Sequence, residues 1–399
     1  MKLYLQFGHG MMALSKLLLD KWGGAGLVLS PRDSTIDQMK KVSIEAKKSK
    51  SEILFDPQCF FQDTDKERLI QHEYFKMFQD RSIDVFSGGT HTNNFLVKLK
   101  ELNDAISTDT IIIPGTYSEK ITPDWLDQHE TIAAEAASVF ADKQRLQTIV
   151  VSTEVLRSEE LIEAIVERSA TWEVDGYYVV PEGDSYLSEE PMILANLLLL
   201  TSGLKLQKRR VVVGYSSHQH LCLAAANVDQ ICSGTWLNVR SFSSKKFYEP
   251  EDGDIARRGL WYYSPKSLSE YKIPTLDAAK KLGVLNLLQP DPSFDNEYCQ
   301  PLFAGVAPTT ISWGESNAFK HYLVSLNKQV SLCNVDGFDS AVTYQEGLLN
   351  DSEVIIKTIS KQAISGGDRD FKDCVATARL ALNIFSLARK TRLKREWIV

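Results

Sequence analysis

Eight short runs of aliphatic and β-branched residues recur along this chain, with segments of helical spacing between them, and that alternation constrains the fold more than any other feature. The runs lie at residues 3–7, 26–30, 52–55, 110–114, 148–152, 176–180, 210–214 and 229–233. Strands buried on both faces read as continuous apolar stretches, so these runs predict a parallel sheet covered by helices. Residues 11–22 are apolar at helical spacing and stop at Gly23-Gly24, residues 158–169 open on Ser-Glu-Glu, and residues 191–200 open on proline. The pattern predicts an α/β fold, a (β/α)8 TIM barrel with insertions and a C-terminal helical extension.

Two stretches break the rhythm. Residues 56–110 are rich in charge and aromatic side chains, and residues 244–310 in proline, tyrosine and aspartate. The predicted organisation is a barrel over 1–243, an insertion over 244–310, and closing helices with a basic tail over 311–399. Within 371–399 the apolar side is predicted to carry Ala376, Leu380, Leu382, Ile384, Phe385 and Leu387, followed by Arg389, Lys390, Arg392, Lys394 and Arg395. That basic cluster reads either as a solvated helix end complementing the helix dipole or as a surface for an acidic partner.

A net charge of −7 over 399 residues gives no global attraction to nucleic acid, so nucleic acid is not expected as a partner. No apolar stretch reaches the length of a membrane span, and the start MKLYLQFGHG lacks the basic and apolar regions of a signal peptide. A cytoplasmic protein is expected. Its six cysteines include no C-x-x-C pair, which predicts reduced thiols.

Function in such barrels collects where strands end, so the residues after each run carry the chemical reading. Asp56 follows the third run and precedes Pro57, placing a carboxylate at the barrel mouth as a general acid or base, or else as the cap of a turn. Cys232 in the eighth run reads as a nucleophile or as an inert small apolar residue, and Asp229 is a further catalytic candidate. Tyr117, Ser152, Tyr178 and Glu182 are candidates for ligand contact. His9, between two glycines, reads as a turn residue. His218, His220 and Cys222 do not complete a tetrahedral metal set. No metal site and no cofactor are predicted, and dinucleotide, P-loop and nucleophile-elbow motifs are absent.

Several segments resemble the tRNA-guanine transglycosylases. VVVGYSSHQHLCLAAANVDQICSGTWLNVRSF at 211–242 follows that family's order of strand, helix and G-V-D-x-F-D-C, and ILFDPQCF at 53–60 is similar to its I-L-T-D-S-G-G-F. DGYY at 175–178 and AFKHYLVSLNKQVSLCN at 318–334 match in the same order. The resemblance implies a barrel that exchanges guanine in RNA for a 7-deazaguanine through a covalent aspartate, with Asp56 as the assisting carboxylate. This chain departs from that pattern at several points. The adjacent glycines are Gln58 and Cys59, and the nucleophile position falls on Ile231 or Cys232. The base-reading aspartate falls at Gly115, the glutamine at Ser152, and the later glycine pair at Val180-Pro181. The zinc cysteines fall at Ala307, Thr309 and Ser312, and only Cys333 stands where the zinc-binding histidine would be.

The functional expectation is a remodelled barrel without base exchange, a pseudoenzyme that binds a protein. It resembles the transglycosylase-like ancillary proteins of CBASS anti-phage defence, which implies a nearby nucleotidyltransferase as partner and a link to 7-deazaguanine chemistry. The alternatives are an active nucleobase or nucleoside transferase or glycosidase using Asp56, and binding of a deazaguanine or nucleotide without turnover.

Overall fold

The structure, a computed structural model, describes residues 1–248 and 259–397. The barrel strands are β1 (Lys2–Gln6), β2 (Gly26–Leu29), β3 (Glu52–Phe55), β4 (Thr110–Ile113), β5 (Gln144–Val151), β6 (Gly176–Pro181), β7 (Arg210–Val213) and β8 (Gln230–Ser233). All pair in parallel, in the order β3-β2-β1-β8-β7-β6-β5-β4. Strand β5 begins four residues before the apolar run that revealed it, because Gln144, Arg145 and Gln147 interrupt the apolar signal. Residues β9 (Trp261–Ser264) and β10 (Ser269–Lys272) form an antiparallel hairpin within the second insertion.

The helices are α1 (Met11–Trp22), α2 (Ile36–Lys48), α3 (Glu67–Ile70), α4 (Glu73–Gln79), α5 (Gly89–Ala105), α6 (Pro123–Val139), α7 (Thr153–Leu156), α8 (Glu159–Ser169) and α9 (Pro191–Leu206). They continue with α10 (Ile273–Lys281), α11 (Leu285–Leu288), α12 (Glu315–Leu332), α13 (Phe338–Ser360) and α14 (Lys372–Glu396). Local chemistry sets their starts: Thr35 closes a capping box on α2, and the Ser158 hydroxyl accepts from the Leu161 N–H at the start of α8. After β7 the chain makes only a 3-10 helix, His218–Ala226, where a full helix would cover the sheet. Helices α13 and α14 supply that cover, packing against this short helix and against α9. Helix α12 packs on β1 and α1 and completes the ring, so the second insertion is an elaborated loop at the mouth between β8 and α12.

That insertion has a small core of its own, with Tyr262, Tyr271, Leu276, Leu288 and Leu302. Trp313, Ile359 and Ile364 share it, so the expected boundary at residue 310 cuts through a packed cluster. The apolar side of α14 also differs from the reading of its sequence. Cys374, Ala378, Ala381 and Phe385 face inward with Leu382, while Leu380 and Leu387 are 49% and 90% exposed. Small residues let α14 lie close to α9, and that contact selected the inward face over raw hydropathy. Among the described residues no helix is long and apolar enough to cross a membrane.

No ladder joins β3 to β4, and a backbone hydrogen bond together with side chains closes that seam. The Asp109 N–H donates to the Ile53 carbonyl at 2.8 Å, and the Ile53 N–H donates to the Asp109 carboxylate at 2.7 Å. Inside, Thr110 on β4 donates to Glu52 on β3 at 2.6 Å. The Glu52 carboxylate also takes a two-pronged hydrogen bond from Arg210 on β7, at 2.7 and 2.8 Å, and one from the Tyr4 hydroxyl on β1 at 2.5 Å. Arg210 Nε reaches Gln230 on β8 at 3.0 Å. Five strands thus meet on one ion pair at the N-terminal end of the barrel.

Burial alone would raise the Glu52 carboxyl, but the hydrogen bonds and charge of Arg210 outweigh it and hold the group below its ordinary value. A lowered folded-state value contributes stability above the ordinary carboxylate range and loses it as pH falls through that range. Glu52→Ala leaves the half-buried Arg210 without its partner and is expected to cost about 3 kcal/mol in urea unfolding. The double variant Glu52→Gln/Arg210→Met is expected to unfold at a higher urea midpoint than Glu52→Ala; equal midpoints would show that the ion pair is not what holds the seam.

Candidate functional site

Asp56 stands one residue past β3, its N–H bonded to the Leu29 carbonyl at 3.0 Å, and points into the C-terminal end of the barrel. It has no exposed surface. One carboxylate oxygen accepts from the Gln58 N–H at 3.1 Å; the other accepts from the Tyr215 and Tyr178 hydroxyls at 3.0 and 3.2 Å. The Tyr178 hydroxyl also lies 3.2 Å from Gln6 Oε1. The Gln58 amide donates to the Tyr215 hydroxyl at 2.9 Å and to Ser30 at 3.0 Å. Gln58 and Tyr215 hold left-handed backbones, with φ of 52° and 50°, which side-chain-bearing residues adopt only when their surroundings demand it. Gly214 is required, because a Cβ there would lie 2.4 Å from the Tyr178 hydroxyl.

Burial pushes the Asp56 carboxyl up to about 6, against the opposing pull of the Gln58 N–H, the two phenols and the charge of Arg32. Burial likewise drives both phenols well above their ordinary range, so they remain donors. Above this network an aromatic cluster fills the mouth. Phe60 and Phe61 from the loop after β3 pack with Phe242 and Phe247 from the loop after β8, at centroid distances of 5.3 Å for both Phe60–Phe242 and Phe61–Phe247. Tyr117 packs on Phe61 at 4.9 Å, and Phe242 packs on Tyr215 at 5.4 Å.

The other predicted site residues separate. Asp229 precedes β8 and therefore lies at the N-terminal end of the barrel, opposite Asp56. Its carboxylate accepts from Lys205 at 2.7 and 2.9 Å and from the Val211 N–H at 2.7 Å, so its place as a catalytic partner is corrected to a structural one. Cys232 is fully buried and burial drives its thiol far up, which leaves it a small apolar residue rather than a nucleophile. Ser152 is spent as the cap of α7, accepting from the Val155 N–H at 3.2 Å, and Tyr178 is spent on Asp56. Tyr117 and Glu182 do meet, at 2.5 Å, and Glu182 also accepts from the Ser244 N–H at 2.9 Å. His218 is enclosed by Tyr263, Tyr186, Tyr322 and Phe371, and burial lowers its ring to about 4. The Cys333 thiol accepts from the Gln345 amide at 3.4 Å. Among the described residues no three His, Cys, Asp or Glu side chains group as metal ligands, and Ala307, Thr309 and Ser312 do not fit a zinc site.

Open spaces adjoin the plug, one of about 650 Å³ lined by Phe60 and Phe61 and a larger one that begins at Arg32 and Lys246. The larger cleft, of about 1020 Å³, runs between the segments after β1, β2, β3 and β8, the hairpin and α12, and the exposed His9 lines it. On its wall the buried Glu270 accepts from Tyr186 at 2.7 Å and from Arg369 at 2.8 Å, with Arg240 at 3.4 Å. The Arg240 guanidinium lies 3.4 Å from the centre of the Tyr322 ring. This arginine–glutamate–arginine group escaped the sequence reading because its members lie 30 and 99 residues apart. Arg32, in contrast, sits in a strand-end triplet, the kind of position that marks a mouth residue.

Retaining glycosidases need two carboxyl groups roughly 5 Å apart, with room for a sugar between them. Asp56 instead faces phenols and an amide in a dry core. No family model matches the chain, and no curated protein does. Among solved structures, the carboxyl transferase domain of Rhizobium etli pyruvate carboxylase, solved with pyruvate and biocytin, is similar at a TM-score of 0.37 and 9% identity, over 100% of this chain and 79% of that one. A likeness this slight does not bear on function.

Because the folded Asp56 binds a proton more tightly than the unfolded chain does, its contribution to stability falls as pH rises from about 4 to about 6. Asp56→Asn removes that term. Urea unfolding of both proteins between pH 4 and pH 7 is expected to show wild type gaining on the order of 3 kcal/mol relative to the variant toward the acid end. Parallel curves would mean that Asp56 is not held in this environment.

Proposed function

We propose that this chain is a transglycosylase-like barrel without base-exchange activity, acting as a protein-binding accessory factor. One observation carries the reading: Asp56, the carboxylate that the resemblance assigns to chemistry, has no exposed surface and both its oxygens are engaged. A base would have to displace the Tyr215 and Tyr178 hydroxyls from it, and Phe242 packs on Tyr215 at 5.4 Å.

Two further details support the loss of exchange. Gln58 keeps a left-handed backbone where the resemblance places a glycine, but its side chain occupies the space beside Asp56. At Gly115 a Cβ would lie 2.5 Å from the Thr148 carbonyl, so no base-reading aspartate fits there. A covalent mechanism also requires an oxygen nucleophile, and neither Ile231 nor Cys232 offers one.

The partner we propose is a nucleotidyltransferase of a CBASS defence system linked to 7-deazaguanine chemistry, a setting taken from the resemblance. Leu380 and Leu387, one heptad apart on α14, are exposed apolar side chains available to such a partner. The basic end of α14 is less available, since Arg389 pairs with Glu163, and Lys390 and Lys394 pair with Asp339.

Wild-type protein incubated with tRNA and labelled guanine is expected to incorporate no label. Co-expressed with the nucleotidyltransferase encoded beside it, it is expected to co-purify, and Leu387→Glu to reduce the yield of complex at least fivefold. Asp56→Asn is expected to leave both complex formation and protection in cells intact. If that variant binds its partner but no longer protects, Asp56 is catalytic and the accessory reading fails.

A further inference from the structure

The described lining of the cleft beside the aromatic plug has a charge opposite to that of the chain. Its described lining carries six cations, Arg32, Lys66, Arg68, Arg240, Lys246 and Arg369, against three carboxylates, Asp33, Glu270 and Glu315. The chain as a whole is at −7, so this excess is local. Two of the cations share the single carboxylate of Glu270.

Arg32 differs from the rest. It is 7% exposed, its Nε lies 3.8 Å from an Asp33 oxygen, and its guanidinium lies 4.8 Å from the centre of the Phe247 ring. Its Nη2 has no hydrogen-bond partner. Asp33 does not hydrogen-bond it, because 3.8 Å is longer than a hydrogen bond. A buried guanidinium with an idle donor is costly, and buried polar groups are nearly always paired. Arg68 converges on the same point from the solvent side, donating to the Asp33 carbonyl at 2.8 Å.

A planar guanidinium fork suits an anion with several oxygens, and phosphate binds such a fork through two parallel hydrogen bonds. The cleft also offers an aromatic wall: Trp236 and Phe319, half-buried, pack edge to face at 4.9 Å and both line it. A volume of about 1020 Å³ is at the upper end of what small-molecule sites enclose.

We propose that this cleft binds a small phosphorylated molecule of nucleotide size, with its phosphate at Arg32 and Arg68 and its ring against Trp236 and Phe319. The site adjoins the Asp56 network through the Arg32 backbone, which donates to Gln58, and does not depend on the identity of any protein partner. Binding there needs no chemistry on the ligand.

The test uses the full chain with three probes, inorganic phosphate, guanosine 5′-monophosphate and guanosine, read by calorimetry and by the thermal midpoint at low salt. The monophosphate is expected to bind at least tenfold more tightly than either guanosine or phosphate, and to weaken as salt rises. Arg32→Lys, which keeps the charge but loses the fork, and Arg68→Ala, at an exposed position, are each expected to weaken monophosphate binding tenfold or more. Trp236→Ala is expected to weaken the monophosphate and leave phosphate binding unchanged. No binding of either anion at millimolar concentration, or wild-type affinity in both arginine variants, would overturn the site. Unchanged monophosphate affinity in Trp236→Ala would overturn the placement of the ring. Should Arg32→Lys fail to fold, Arg68→Ala decides the matter.

Discussion

A strand that turns a carboxyl group inward at each end of a closed barrel must find partners for both, because neither can be left bare in a dry interior. Strand β3 carries Glu52 at its start and is followed by Asp56 at its exit, four residues apart and therefore on the same inward face. The fold satisfies them in opposite ways. Glu52 receives a full cation from Arg210 and stays ionised, whereas Asp56 receives only phenols and a backbone N–H, which do not offset burial, and is pushed toward its neutral form. The first arrangement ties five strands together and helps close the seam that lacks a ladder. The second sets tyrosines across the top of the barrel, on which the aromatic plug rests.

This division explains which parts of the molecule the sequence revealed. Runs such as the Ile-rich one at β4 are apolar because both faces are covered, so their positions were plain, and Ser158 and Pro191 mark helix starts through backbone chemistry that acts locally. Asp56 was recognisable as a mouth residue because a carboxylate directly after a strand is a local signal. Its pairing with Tyr178, singled out only for ligand contact, and with Tyr215 was not, since they lie 122 and 159 residues away. Asp229 lies just before β8, and because a strand's start and end belong to opposite ends of the barrel, a residue three positions from Cys232 stands at the far end from Asp56.

The plug also bears on where the larger cleft lies. Phe242 and Phe247 come from the loop that leaves β8, and once they cover the barrel axis the rest of that loop runs outward to the hairpin and α12. The cleft is the gap left between this outward path and the loops after β1 and β2. Its wall is stiffened by Glu270, held between two arginines and Tyr186. Buried ionic groups of this kind contribute little net stability over apolar packing, but they fix one arrangement, which a ligand wall needs.

Arg32 connects the two regions. Its backbone N–H donates to the Gln58 side chain at 3.3 Å, in the Asp56 network, while its guanidinium lies at the edge of the cleft. Its positive charge is one of the influences that hold the Asp56 carboxyl down against burial. An anion seated on Arg32 would offset part of that field and favour the protonated carboxyl, which can donate where the carboxylate only accepts. By reciprocity a protonated Asp56 would favour an anion there, so occupancy of the proposed site would couple the barrel core to the cleft through one arginine.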